Sequence, residues 1–204
     1  MLTLAILGFL YGEPLHGYEL KSRITGLTGH VRPVSDGALY PAITRLEKAG
    51  LLRRRAEPGS GAAPRQTLEL TAEGRAELLR RLADPEQAEI TDQIRFFTVA
   101  AFLHHLAAPP RQAAVLRRRL DFLDAPSSFF YDGSDRPVTA EQEPNPFRRG
   151  MLLVARASTA AERGWLTGTI EELERQGGAT PSEAPGATSS EAPGMTAGLR
   201  PSEH

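Results

Sequence analysis

Apolar positions along the chain change their spacing several times, and the changes divide it into elements. Leu2 to Tyr11 is almost wholly apolar, which predicts a first helix covered on more than one side, ended by Gly12, Glu13 and Pro14. A second helix is expected from about His16 to Thr25, carrying Tyr18, Leu20 and Ile24, and a Gly-rich passage from Gly26 to Arg32 follows. The stretch Ser35 to Leu51, SDGALYPAITRLEKAGL, describes a third helix with two unlike faces. Leu39, Ala42, Ile43 and Leu46 fall at i, i+3, i+4 and i+7, the spacing of a buried stripe, while Tyr40, Pro41, Thr44, Arg45 and Lys48 point the other way. Ser35 is placed as an N-cap, Asp36 sits in the first turn, Lys48 lies in the last, and Gly50 is placed as the left-handed stop. The order is that of a helix-turn-helix, and a short basic third helix is shaped to enter a DNA major groove.

After Gly50 the period changes. Leu51 to Arg55 reads as a short strand, Glu57 to Pro64 is turn chemistry, and Leu68 and Leu70 alternate with Thr67 and Glu69. The result is a two-stranded hairpin carrying Arg53, Arg54, Arg55 and Arg65, a basic ribbon beside the basic helix, where it could reach the sugar-phosphate backbone or a minor groove. Three helices and such a hairpin make a winged helix. Thr71 then caps a further helix, Ala72 to about Leu82, which closes a domain spanning residues 1–83.

The second half, 84–176, is expected to be helical. Ile90, Ile94, Phe97 and Ala101 recur at i, i+4, i+7 and i+11 within a helix from about Glu86 to Ala107. Pro109 and Pro110 start another, with Ala113, Leu116, Leu120 and Leu123 as its stripe and Arg117, Arg118 and Arg119 read as a solvated face. The passage 125–146 is rich in Pro, Asp, Ser and Glu and reads as a loop, with Phe129, Phe130 and Tyr131 anchoring the end of the preceding helix. A last helix, about Phe147 to Gln176, places Leu152, Thr159, Leu166 and Leu173 seven residues apart, with Trp165 and Ile170 beside the stripe. Residues 177–204, with a repeated SEAPG, have almost nothing to bury and are expected to form a disordered tail.

Three linked motifs narrow the reading further. HGYEL at His16–Leu20, SDGALYPAITRLEKAGLL at Ser35–Leu52 and PRQTLELTAEG at Pro64–Gly74 together resemble the PadR family of bacterial transcriptional regulators over about Leu2 to Leu82. Leu68 stands where that family usually has an aromatic residue. The resemblance implies a dimeric repressor of nearby genes. Carried over by position, Tyr18 and Lys21 would contact phosphates, and Ser35, Gly37, Tyr40, Pro41 and Thr44 would lie along the groove. Lys48 would also touch DNA, and Arg54 and Arg65 would hold the wing. More diffusely, IRFFTVAAFL and the Trp165–Leu166 pair fit the dimerisation region that follows such a domain.

The fold class expected is therefore mainly α with a small β-hairpin: a winged helix-turn-helix domain followed by a helical dimerisation region. Independently of the resemblance, the first and C-terminal helices carry more apolar surface than the N-terminal domain can cover, so a second copy is the expected partner. Leu2 and Ile6 on the first helix and Leu166, Ile170 and Leu173 on the last are candidates for that interface. A small hydrophobic effector wedged among Phe96, Phe97 and Trp165 would change the separation of the two reading helices.

Charge sharpens the division. The 204 residues carry a net −1, yet residues 1–83 hold 12 Lys and Arg against 8 Asp and Glu, while the remainder holds 12 against 17. A domain at +4 is drawn to phosphate and a half at −5 stays off it. The absence of Cys removes disulfides and thiolate metal sites and fits a reducing cytoplasm. No apolar run reaches about 18 residues, and the N-terminus lacks the basic start of a signal peptide. Catalysis is not expected: no nucleophile elbow is present, and the His residues at 16, 30, 104, 105 and 204 make no metal pair at helical spacing, so no cofactor is expected. The rival reading is a winged helix used as a protein-interaction module. Small hydrogen-bonding residues such as Ser35, Gly37 and Thr44 on the outer face favour base edges over protein docking, which would want large apolar anchors.

Overall fold

In the computed structural model, which describes residues 1–28, 34–57 and 65–178, the N-terminal half builds around α1, Leu2–Gly12. Its near-continuous apolar sequence is explained by its neighbours. Leu4, Ala5, Ile6, Leu7, Gly8 and Leu10 are all buried against helices and sheet on several sides. A β1 strand of two residues, Leu15–His16, precedes α2, Gly17–Thr28. The third helix, α3, runs Asp36–Lys48, and Gly50 ends it at φ +73, the left-handed conformation that glycine adopts without steric cost.

Strands β2, Leu52–Glu57, and β3, Arg65–Leu70, form an antiparallel hairpin with Leu52 opposite Leu70 and Arg54 opposite Leu68. The short β1 adds to the free edge of β3, giving the order β1-β3-β2 and a sheet of three strands rather than the expected two. A two-residue strand has no period to read. β2 also continues to Glu57, where turn chemistry was expected, while the rest of the expected turn, 58–64, lies outside the described residues. Thr71 caps α4, Ala72–Ala83, as expected: its Oγ1 accepts from the Gly74 N–H at 3.0 Å and donates to the Gly50 carbonyl at 2.7 Å, tying the exit of α3 to the start of α4.

The expected helix from Glu86 to Ala107 is broken. It forms α5, Gln87–Thr91, then α6, Gln93–Phe102, then a 3₁₀ turn, Leu103–His105. Asp92 makes the break: its backbone is extended and its carboxylate accepts from the Arg95 N–H at 2.9 Å, so the chain stops and restarts there. The restart rotates the inward set. Phe96, Val99, Phe102 and Leu103 are buried, whereas Ile94, Phe97 and Ala101, expected in one stripe with Ile90, face outward.

Helices α7, Pro109–Asp124, and α8, Pro146–Gly178, form a long hairpin. Along α8, Leu152, Leu166 and Leu173 are buried at the expected spacing, with Thr159 half-buried between them. Two expectations need correction. Arg119 is 2% exposed rather than solvated, because it is paired with the equally buried Glu162 of α8. Arg117 and Arg118 do lie near the surface, paired with Glu174 and Asp84. Phe129 and Tyr131 are exposed, so the aromatic triplet does not anchor α7; the loop is closed instead by a bridge between Tyr131 and Pro137. The tail from 179 onward lies outside the described residues, as do residues 29–32 of the expected Gly-rich passage, while its first residues, Gly26 to Thr28, continue α2 past the expected end at Thr25.

Candidate nucleic-acid interface

The third helix separates its faces as its sequence dictates. Leu39, Ala42, Ile43 and Leu46 are buried in the core, and Ser35, Gly37, Tyr40, Pro41, Thr44, Arg45 and Lys48 are exposed along one side. Ser35 occupies the N-cap position without donating or accepting a side-chain cap bond. Pro41 interrupts the helix ladder, since it has no N–H to offer the Gly37 carbonyl. The outer side is consequently low in relief at its start and basic at its end.

Helix α2 meets this face through its own first turn. The His16 N–H donates to the Glu19 carboxylate at 3.0 Å, and that bond, with one from the Tyr18 hydroxyl, holds the Glu19 carboxyl below its usual range. Tyr18 is 67% exposed and stacks on the His16 ring at 5.7 Å. Tyr40 lies against Gly17: a Cβ there would come within 3.3 Å of its ring, so the glycine lets α2 and α3 approach. Lys21 reaches the start of α3, where its Nζ pairs with Asp36 at 2.8 Å. An open cleft of about 540 Å³ remains between α2, α3 and the sheet, bordered by His16, Tyr18, Tyr40, Arg54 and Gln66.

The hairpin is less cationic than its sequence. Successive side chains alternate between its faces, so Arg53 and Arg55 share one and Arg54 takes the other. Arg53 donates to Glu69 at 2.8 Å and Arg55 at 3.3 Å, and these bonds lower the Glu69 carboxyl's pKa. Arg54 instead forms a two-pronged pair with Glu47 of α3, at 2.7 and 3.0 Å. Three guanidinium groups therefore meet two carboxylates. Neither Glu47 nor Glu69 was singled out from the sequence, although pairing Leu52 with Leu70 sets Arg53 directly across from Glu69. The side chain of Arg65 lies outside what the structure describes.

The residues expected at a dimer or effector surface divide into two groups. Ile6, Phe96, Leu166, Ile170 and Leu173 are buried in the chain's own core, and Leu2 packs partly against it, because α1, α6 and α8 use those positions to close on their intramolecular neighbours. Phe97 and Trp165 are each 43% exposed, with ring centroids 6.2 Å apart, and border a shallow depression with Ala100 and Ala101. Among the described residues no group of His, Asp and Glu could hold a metal, and no helix is long and apolar enough to cross a membrane.

Among solved structures, a transcriptional regulator from Clostridium thermocellum is similar at 26% identity over 39% of this chain and 76% of that one, with a TM-score of 0.36. A transcriptional regulator from Thermoplasma acidophilum is similar at 26% identity over 43% of this chain and 76% of that one, with a TM-score of 0.35. Bacillus subtilis PadR in complex with operator DNA is similar at 19% identity over 84% of this chain and 98% of that one, with a TM-score of 0.39. No curated protein matches the sequence. Residues 6–80 match the model of the transcriptional regulator PadR-like family, and the match takes in most of α1, α2, α3, the hairpin and most of α4. By its residues 6–80, the chain is similar to the transcriptional regulator PadR-like family.

Proposed function

We propose that this chain is a PadR-like transcriptional regulator, a repressor that binds a palindromic operator as a homodimer, with α3 in the major groove and the hairpin beside it. The observation that carries the reading is the exposed side of α3, where Ser35, Gly37, Tyr40, Pro41 and Thr44 leave a low, hydrogen-bonding surface and Arg45 and Lys48 supply charge. Tyr18, Lys21 and Arg65 flank that side in sequence and are the remaining candidates for contact with DNA, while Arg54, expected beside them, has its guanidinium engaged by Glu47. Phosphate contacts set register, and the small polar residues read base edges.

For the homodimer, support comes from apolar side chains left outside: Ile94, Phe97 and Ala101 on α6, Trp165 on α8, and Phe147, Met151 and Val154 at the start of α8. Burying these against a second copy places two reading helices on one duplex, with half-sites about one helical turn apart. The units are then 1–83 for DNA, 84–176 for pairing, and 177–204 as a tail. The Phe97–Trp165 depression is the proposed seat of a small hydrophobic effector, whose entry would alter the separation of the two heads.

The test is titration of a labelled fragment from the gene's own upstream region at several salt concentrations. Selective binding at about 10 nM or tighter, weakening steeply with salt, is the expected result. Weak, sequence-blind binding would favour the protein-interaction module instead. Sedimentation at micromolar concentration reads the dimer, and Trp165→Ala should alter induction without loss of folding.

A further inference from the structure

The Glu47–Arg54 pair joins the last turn of α3 to β2. Arg54 projects from the inner face of β2, the face that also carries Leu52, and so points at α3 rather than away from the sheet. Its Nε and Nη2 meet the two oxygens of Glu47, which is half-buried in the last turn of α3. A two-pronged contact between planar groups fixes rotation as well as distance. The Arg54 Nη1 donates onward to the Gln66 side-chain oxygen of β3 at 3.4 Å, and the Gln66 carbonyl accepts from His16 Nδ1 at 3.1 Å, at the entrance to α2. One line of polar contacts thus runs from the reading helix across both hairpin strands to the second helix, along the border of the 540 Å³ cleft.

The geometry points to Glu47 as a positioning residue: through Arg54 it sets the angle of the hairpin to α3, and Arg54 serves that angle instead of contacting phosphate. This rests on the DNA-binding reading and deepens it. A hairpin hinged only by its hydrophobic base would swing at its tip, and two heads on one operator tolerate little error in where each tip lands. The pair fixes the hinge. Because the carboxylate also neutralises the guanidinium, the phosphate-facing charge falls to other residues, Arg45 and Lys48 on α3 among them.

The test compares the full-length wild-type chain with Arg54→Ala, Glu47→Gln and the exchanged pair Glu47→Arg/Arg54→Glu, by operator titration from about 50 to 200 mM salt. Each single variant should bind its operator about tenfold more weakly, the loss expected for a charge-assisted pair, with the slope of log affinity against log salt unchanged. The exchanged pair should recover affinity to within about threefold, although it puts a carboxylate where a phosphate contact would need a cation. A slope lowered by about 0.9 in Arg54→Ala, together with unchanged or tighter binding by Glu47→Gln, would overturn the assignment and make Arg54 a phosphate ligand. Failure of the exchanged pair to recover would overturn it as well. Thermal melts of every variant read folding separately. Loss of selectivity in the wild-type arm itself would remove the DNA-binding reading, and with it any role for the pair.

Discussion

Arg119 of α7 and Glu162 of α8 face each other at 2.7 and 3.1 Å with both side chains almost wholly enclosed. The Arg119 Nη1 donates to the carbonyls of Ile90 and Thr91, at 2.7 and 2.9 Å, and Gln93 donates to Glu162 at 2.9 Å. The carbonyls are those at the end of α5, left without helical partners where Asp92 breaks the chain. A buried guanidinium therefore closes the interruption and joins it to the α7–α8 hairpin. Removing one partner leaves a buried charge uncompensated, so Glu162→Ala should cost about 3–5 kcal/mol in urea denaturation. Replacing both together with apolar residues, Arg119→Met with Glu162→Leu, should cost clearly less. Equal costs for the single and double variants would show that the pair holds nothing the apolar atoms do not.

Gly74 lies where α4 passes the end of α3. A Cβ there would run into the Leu51 carbonyl oxygen, the same oxygen that accepts the Thr71 N–H at 3.1 Å, and would also lie 2.8 Å from the Leu70 side chain. Backbone cannot step aside as a flexible side chain can. Gly74→Ala should therefore destabilise by about 2 kcal/mol or more, within or above the usual range for overpacking. Gly164→Ala, in the middle of α8 with open space at its Cβ, should instead stabilise by about 0.5–1 kcal/mol. Chemical denaturation of the two variants side by side gives the contrast.

Lys48 and Arg45 carry exposed charge at the last turn of α3. On the proposed interface, Lys48→Ala should weaken binding to every DNA sequence and lower the salt slope by about 0.9. Thr44→Ala should leave that slope alone and reduce the preference for the operator over unrelated DNA. Salt titrations of both variants on both duplexes separate the two effects, and a slope untouched by Lys48→Ala would place that lysine off the phosphates.

His105 introduces a pH dependence in the fold itself. Burial lowers its pKa first, and the neighbouring His104 and, more weakly, Arg75 act in the same direction, while a hydrogen bond with the Gly8 backbone opposes them. Its ring packs 4.3 Å from that of Tyr11. The fold thus prefers neutral imidazole, whereas the unfolded chain protonates near its ordinary value. This stability is fully present above that value, about pH 6.5, and is lost as pH falls towards the lower folded value. His105→Gln should flatten the fall in thermal midpoint on acidification, and an unflattened profile would assign the acid sensitivity elsewhere.

The N-terminal half was legible because its signals are local. The i, i+3, i+4, i+7 stripe of Leu39, Ala42, Ile43 and Leu46, the Gly50 stop and the Thr71 cap each depend on residues within a turn or two, and each appears where the spacing puts it. What the sequence left open were decisions made by distant partners. Whether Arg54 faces phosphate or protein depends on Glu47, seven residues earlier but on another element, and Arg119 is buried only because Glu162 arrives 43 residues later. β1 exists because β3 offers it an edge, and Phe97 turns outward because one capping aspartate, Asp92, restarts a helix. Periodicity states which side of an element is apolar. The element packed against it decides where each charge is neutralised and which apolar side remains uncovered, because burial and ion pairing are properties of pairs of elements rather than of either sequence alone.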